Sequence, residues 1–285
     1  MEGLLDWYAL NGRDLPWRAP GTRPWGVLVS EVMLAQTPVS RVVPVWLDWM
    51  ARWPGPGELA AESPAEVIRA WGRLGYPRRA LRVHEAAKIL ERDHRGEVPA
   101  TYAELRALPG VGDYTAAAVL AFAHGQRAVV LDTNVRRVLA RHTAGQAAPG
   151  PSVSVAERRM ADSLLPTDPP TAATWSVAVM ELGALVCSAA SPQCADCPIC
   201  ADCRWHALGK PAYAGPTRRA QRFAGTDRQV RGLLLDVLRT SSGPVAKSAL
   251  VPVWSDDDQR ERALDSLIDD GLVEIARDDH YRLPV

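Results

Sequence analysis

Apolar residues along most of this chain recur at intervals of three and four, with Pro- and Gly-rich breaks between the periodic stretches. The pattern predicts helices near 2–10, from Pro24 to about Gln36, and near 39–52, 64–71, 77–93, 101–108 and 113–124. Asp132 opens another to about His142. A loop rich in Ala, Gly and Pro covers 143–152, and helices near 153–164 and 171–186 follow. Little before residue 230 alternates as a half-buried strand should, and Ala128–Leu131 is apolar but too short to assign. A linker-like stretch then carries Gly209, Pro211, Gly215 and Pro216 with basic Arg218, Arg219 and Arg222. Beyond it come helices at 228–240, near 246–252 and at 256–270, then Leu272–Ile275, a polar turn at Asp278-Asp279 and a short final strand. Three helices and a β-hairpin in that order are the plan of a winged helix.

One stretch, Leu108-Pro109-Gly110-Val111-Gly112-Asp113-Tyr114-Thr115-Ala116, reads as helix, tight turn, helix. Thr101 and Glu104 before it have the spacing of a capping box. Pro109 stops the first helix, because it fixes φ and lacks an N–H. Gly110 and Gly112 are expected to take backbone angles that a Cβ forbids, and Gly125 to close the second helix. Such a hairpin turns backbone N–H groups outward at a helix N-terminus, which suits a phosphate. An αα-hairpin that only packs is the plain structural alternative.

Composition narrows the class. The 285 residues are 47% hydrophobic and 23% charged, enough for one large or two ordinary globular domains. No apolar run approaches a membrane span, and Met1-Glu2-Gly3 does not begin a secretory signal, so a cytoplasmic location is expected. Formal net charge is zero, so nucleic-acid binding must rest on a local basic surface. Basic residues are overwhelmingly Arg; the lysines are Lys88, Lys210 and Lys247.

Five cysteines crowd into residues 187–203, which reads as a metal loop rather than a disulfide framework. Cys187, Cys194, Cys197 and Cys203 give C-x6-C-x2-C-x5-C, while Cys194, Cys197, Cys200 and Cys203 form C-x2-C-x2-C-x2-C. Four thiolates from one loop suit an iron–sulfur cubane or a tetrahedral zinc, and spacing alone leaves both ligand sets open. Glu31 has Val27, Leu28, Leu34 and Ala35 as helical neighbours, so desolvation should raise its pKa and suit it to general acid work; pairing with an Arg is the bland alternative. Asp132, opening Asp132-Thr133-Asn134-Val135, reads as an N-cap, and a capped carboxylate is also a fixed anion beside any developing cation.

Together these motifs resemble the endonuclease III superfamily of base-excision DNA glycosylases, and within it the MutY adenine glycosylases. The resemblance rests on Leu15-Pro16-Trp17-Arg18, Ser30-Glu31-Val32-Met33-Leu34, Gly75-Tyr76, Leu108 to Ala116, Leu131-Asp132 with Asn134-Val135, Met180-Glu181-Leu182-Gly183-Ala184 and the cysteine loop. It spans about residues 4–205. It implies an all-α, helix-hairpin-helix glycosylase fold: a six-helix barrel at 21–125 and a cluster domain at 126–205, with the N-terminal helix of 1–20 packed on the latter. A linker at 206–227 and a small winged-helix-like α+β segment at 228–285 complete the expected organisation.

The resemblance further implies a nucleoid-associated monomer that binds double-stranded DNA containing an adenine mismatch and flips the adenine opposite 8-oxoguanine or guanine out of the stack. Glu31 would protonate the base, and Asp132 would stabilise the oxocarbenium-like sugar. Tyr114 and Asn134 would orient that carboxylate, Trp17, Arg18 and Glu181 would line the base pocket, and Gln36 and Tyr76 would enter the stack. Gly110 and Gly112 would approach phosphate. Cys187, Cys194, Cys197 and Cys203 would hold a 4Fe–4S cluster. Tyr114 stands where the lyase branch of the superfamily carries a Schiff-base Lys, so base removal by water without efficient strand cleavage is expected.

Several positions depart from the family's pattern. Ala35 and Pro77 replace a usual Gln and Tyr, Asp113 replaces an Arg in the hairpin, and Thr133 replaces a Gly. With only the winged-helix-like segment after the cysteine loop, the family's usual Nudix-like reader domain is not expected here. Residues 228–285 carry eight basic against eleven acidic side chains, which favours a packing or protein-contact role over phosphate binding. The rival expectations are a pyrimidine-lesion or thymine-mismatch glycosylase, and a non-catalytic iron–sulfur DNA-binding regulator.

Overall fold

Polar caps start the helices where the periodic stretches begin. Ser63, Asp132, Ser154, Asp168 and Asp256 each accept a hydrogen bond from the backbone N–H three residues on. The structure, a computed structural model, describes residues 3–215, 222–277 and 279–285. The expected helix start at Glu2, the linker residues Pro216, Arg218 and Arg219, and the turn residue Asp278 lie outside the described residues.

In chain order the elements are α1 (Leu4–Asn11), α2 (Pro24–Leu34), α3 (Val39–Arg52), α4 (Pro56–Ala60), α5 (Pro64–Trp71), α6 (Arg78–His94), α7 (Tyr102–Ala107) and α8 (Asp113–Phe122). Then come α9 (Thr133–His142), α10 (Val155–Leu164), α11 (Pro169–Leu185), α12 (Arg204–Ala207) and α13 (Asp227–Thr240). The chain ends with β1 (Val245–Ala246), α14 (Lys247–Leu250), α15 (Asp257–Asp269), β2 (Glu274–Ile275) and β3 (His280–Arg282). The helical fold is the one expected, and among the described residues strands occur only near the C-terminus. Two details differ from expectation. The Pro-Gly run after Trp53 starts a helix at Pro56, because proline at the first position costs no hydrogen bond. A third strand, β1, pairs with β3, giving the antiparallel order β1-β3-β2; two residues are too few to show alternation. No helix among the described residues is long and apolar enough to cross a membrane.

The chain forms two compact units, each built from separated segments. The first contains Met1–Leu28, Ala100–Ala107 and Val111–Thr217. Its core joins Leu4 of α1 to Val135, Val138 and Leu139 of α9 and to Trp175, Ala178, Val179 and Leu182 of α11. The second contains Val29–Pro99, Leu108–Gly110 and Arg218–Val285. One part of it is organised by Trp49, whose ring meets Trp53 and Trp71 edge to face at 5.0 and 5.5 Å. The other part is the core of the C-terminal segment, in which Val230, Leu234, Leu264, Leu267 and Tyr281 pack with Ala65 and Ile68 of α5.

Within the second unit the end of α2 depends on one side chain. The last carbonyls of a helix have no partner of their own. The Arg79 guanidinium supplies one, donating to Val32 O at 2.7 Å, Met33 O at 3.1 Å and Ala35 O at 2.6 Å. It also reaches Thr37 Oγ1 at 2.9 Å and Gly75 O at 3.0 Å. Burial lowers its pKa to about 10, which still leaves it charged at neutral pH. Replacing Arg79 by Met should cost about 3 kcal/mol, because several enclosed carbonyls lose their donor. The urea midpoint would measure this; a loss under about 1 kcal/mol would show that water replaces the guanidinium.

Candidate active site

Glu31 lies on α2 and is 5% exposed, beside fully buried Ser30. Two residues past the helix, Gln36 is exposed and holds φ at +59°; Tyr76 is also exposed and holds φ at +49°. Such angles are strained for residues with a Cβ, and strain of this kind collects at functional positions. Both turns are held by one frame, in which Thr37 Oγ1 donates to Leu74 O at 3.1 Å and Arg79 bonds both segments.

The hairpin closes on Gly110, whose φ of +83° needs glycine and whose Cα faces Arg82 so closely that a Cβ would stand 3.0 Å from its Cβ. Gly112 is different. Expected to need unusual angles, it is instead the extended N-cap of α8, at φ −91° and ψ 178°, with open space where a Cβ would go. Any residue fits those angles; what glycine leaves here is an uncovered backbone. Asp113 follows, with Arg106 at 2.9 Å and Arg158 at 3.6 Å against its carboxylate, so its negative charge is partnered. Tyr114 is half-buried against Ala117, Ala118, Ala121 and Val130.

In the first unit Asp132 caps α9. Its Oδ1 accepts from Val135 N at 2.6 Å and its Oδ2 from Asn134 Nδ2 at 2.8 Å. Arg137 in turn donates to Asn134 Oδ1 at 2.8 Å and to Gly183 O at 2.6 Å. Gly183 lets α11 lie against α9: a Cβ there would meet Asn134 Cβ at 2.7 Å. Burial raises the Asp132 pKa above the usual carboxylate value, and its hydrogen bonds and Arg137 only partly offset that rise.

Trp17 and Arg18 sit in a single turn of 3-10 helix after Leu15. Trp17 is buried, and Glu181 on α11 is fully enclosed. Glu181 accepts from Arg13 Nη2 at 2.6 Å, Arg13 Nε at 2.9 Å, the Arg13 backbone N at 3.2 Å and Arg18 Nη2 at 3.0 Å. Burial pushes its pKa up, but these bonds and charges outweigh it, and the carboxyl lies below its usual value. Its oxygens are thus engaged with arginines. The free end of the cluster is Arg18 Nη1, buried with no hydrogen-bond partner.

Cys187, Cys194, Cys197, Cys200 and Cys203 line one cavity with Arg141 and Trp205. Repeated turns shape the loop: Cys197 N, Cys200 N and Cys203 N each donate to the carbonyl of the preceding cysteine in the run. Arg141, 4% exposed, donates to Cys187 Sγ at 3.3 Å, Ser188 O at 2.7 Å and Ala189 O at 3.1 Å, and its guanidinium lies 4.6 Å from the Trp205 ring centre. Burial and neighbouring thiols push the Cys197 pKa up to about 11. Among the described residues, no three acidic, His or Cys side chains are gathered as a ready single-ion site.

Residues 29–162 match the HhH-GPD superfamily of base excision DNA repair proteins. Adenine DNA glycosylases of Mycolicibacterium smegmatis and Mycobacterium tuberculosis are 54% and 53% identical to this chain. The alignments cover 98% and 99% of it, and 94% and 92% of theirs. The chain belongs to the adenine DNA glycosylase family. The human member is 40% identical over 70% of this chain and 38% of its own length. Two solved structures share the fold: a thermostable thymine-DNA glycosylase, with TM-score 0.64 and 25% identity, and endonuclease III in a non-covalent DNA complex, with TM-score 0.60 and 26% identity. Each match covers 72% of this chain and 94% of the other.

Arg13, Arg79, Arg137 and Arg141 carry no local signal in the sequence. On helices and turns, such residues look like solvated surface, and only the fold shows the carbonyls and carboxylates they serve. Because the folded state raises the Asp132 pKa, the charged form destabilises the fold at neutral pH. Asn keeps the cap without the charge, so Asp132→Asn should melt higher than wild type at pH 7. The gap should close as pH falls through the raised pKa, where wild type is protonated. Thermal melts across pH check this; an Asn variant that melts lower at pH 7 would contradict it.

Proposed function

We propose that this chain is a monofunctional adenine DNA glycosylase of base excision repair, hydrolysing the N-glycosidic bond of adenine mispaired with 8-oxoguanine or guanine in duplex DNA. The observation that carries the reading is the full-length similarity to adenine glycosylases at 53–54% identity, against 25–26% for the thymine and endonuclease III relatives. A non-catalytic regulator would have no use for a buried Glu31 or for an Asp132 desolvated and locked by two hydrogen bonds.

In this reading Glu31 delivers a proton to the flipped adenine at N7, turning the base into a leaving group. Asp132, oriented by Val135 N–H and Asn134 and fixed in direction by its cap, faces the positive charge that develops on the sugar. Water completes the hydrolysis. Arg18, steadied by Glu181, offers its unpartnered Nη1 as a buried donor for the base. Gln36 and Tyr76 enter the stack from turns already strained into place. The N–H groups beside Gly110 and Gly112 meet phosphate, and the pairing of Asp113 with Arg106 and Arg158 limits the repulsion its charge would cause. Tyr114 supplies no amine, so the strand is left uncut.

The five-cysteine cavity fits an iron–sulfur cluster by its chemistry: soft thiolates enclosed in one loop, with a buried Arg141 beside them to offset negative charge. Thiols spread around a cavity, rather than gathered on one point, suit a multi-iron group better than a lone zinc. Cys187, Cys194, Cys197 and Cys203 would hold a 4Fe–4S cluster, which when bound would brace the loop rather than take part in excision. The enzyme works as a monomer in the cytoplasm, at the nucleoid.

Single-turnover base release tests the reading. Adenine should leave from duplexes pairing it with 8-oxoguanine and guanine, and Glu31→Gln should slow release at least about a hundredfold. Release of thymine from thymine·guanine instead would move the chain to a sister branch. For the cofactor, Cys187→Ser should lose iron and visible absorbance while Cys200→Ser keeps both. Iron lost equally in the two variants would overturn the ligand set.

A further inference from the structure

The C-terminal segment is acidic overall and so makes a poor phosphate reader, yet the relatives that match this chain end to end share it. Its placement within the second unit suggests another use. It seats on α5 and on the residues either side of the Gly75-Tyr76 turn. Arg69 donates to Arg239 O at 3.2 Å and Ser241 O at 3.1 Å. Arg73 pairs with Asp236 at 2.5 Å, and Arg78 pairs with Asp270 at 3.1 Å. Two of the segment's carboxylates, Asp236 and Asp270, thus engage arginines that flank Tyr76.

Between those anchors the segment presents Arg228, at the start of α13. Its guanidinium carbon lies 4.6 Å from the centre of the Tyr76 ring. Phe223 stands 5.9 Å from the same guanidinium and is 57% exposed. A turn fixes it, with Thr226 Oγ1 donating to Phe223 O at 2.7 Å. Arg79, the staple of α2, also lies over the Tyr76 ring, at 5.5 Å. The exposed, strained Tyr76 therefore meets one guanidinium from α6 and one from the C-terminal segment. Nothing in the hydrophobic core requires Arg228 there: it is an exposed residue on the outer face of α13.

We propose that the C-terminal segment is a brace for Tyr76, and that Arg228 is a positioning residue that holds its ring ready to enter the duplex. The inference rests on the role given to Tyr76 above. It explains how an acidic segment contributes to DNA recognition without touching phosphate: it acts through the aromatic ring that meets the base stack. A cation stacked on a ring at an exposed site stabilises one orientation modestly, so the effect should be a tuning of affinity and of stack opening, not loss of the enzyme.

A double-mutant cycle tests this on the full-length protein. Arg228→Ala, Tyr76→Ala and the double variant would be compared for binding to duplexes with 8-oxoguanine opposite a non-hydrolysable adenine analogue. A 2-aminopurine beside the 8-oxoguanine would report opening of the stack. Arg228→Ala should weaken binding about three- to fivefold and reduce the fluorescence rise, and Arg228→Lys should recover part of both. In the Tyr76→Ala background the same change should do nothing. If Arg228→Ala has no effect, or the same effect with and without Tyr76, the brace is refuted; the second result would make Arg228 a direct DNA contact. Unchanged melting of Arg228→Ala confirms that the fold is intact. Adenine release by the wild type is scored separately, so a failure of the enzymatic reading is distinguishable from a failure of the coupling.

Discussion

A helix that ends inside a protein leaves carbonyls which must find donors, and at the end of α2 the Arg79 guanidinium meets most of that need, beside the Thr37 N–H on Leu34 O. The consequence reaches well past hydrogen bonding. One guanidinium ties the helix that carries Glu31 to the turn that carries Gly75 and Tyr76. It thereby fixes two positive-φ residues, Gln36 and Tyr76, that would otherwise relax toward ordinary angles. An acid on a rigid helix and two residues held in strained turns are different demands, and a planar fork with several donors satisfies them together. Lysine has the charge but not the fork.

The same economy recurs in the other unit. Arg13 holds Glu181, Arg137 holds Asn134 and the Gly183 carbonyl, and Arg141 holds the carbonyls and sulfur at the start of the cysteine loop. Thirty of the 33 basic residues are arginines. Much of that charge faces inward to backbone oxygens and enclosed carboxylates, so a formal net charge of zero says little about the surface the protein shows to DNA.

This is also where the sequence was legible and where it was not. Asp132 could be read because an N-cap announces itself three residues ahead of its partner, and the hairpin because Pro109 and Gly110 act locally. The cysteine loop was plain from spacing. What stayed hidden depends on pairs far apart in the chain: Arg79 with residues 32–35, Arg13 with Glu181, Arg228 with Tyr76. No local pattern distinguishes such an arginine from a solvated one. The two-residue strand β1 and the helix α4 are illegible for the opposite reason, being too short or too rich in Pro and Gly to show a period.

The contact between Arg13 and Glu181 bridges 168 positions, and Leu4 shares its core with residues of α9 and α11. A chain made from its N-terminus must therefore carry α1, with its apolar face uncovered, until most of the protein has left the ribosome. Truncated products that end before α11 lack Trp175, Ala178, Val179 and Leu182 of the core around Leu4, and have no carboxylate for Arg13. The long-range closure acts as a test of completeness: the chain completes the cover over its own beginning once α11 has been made.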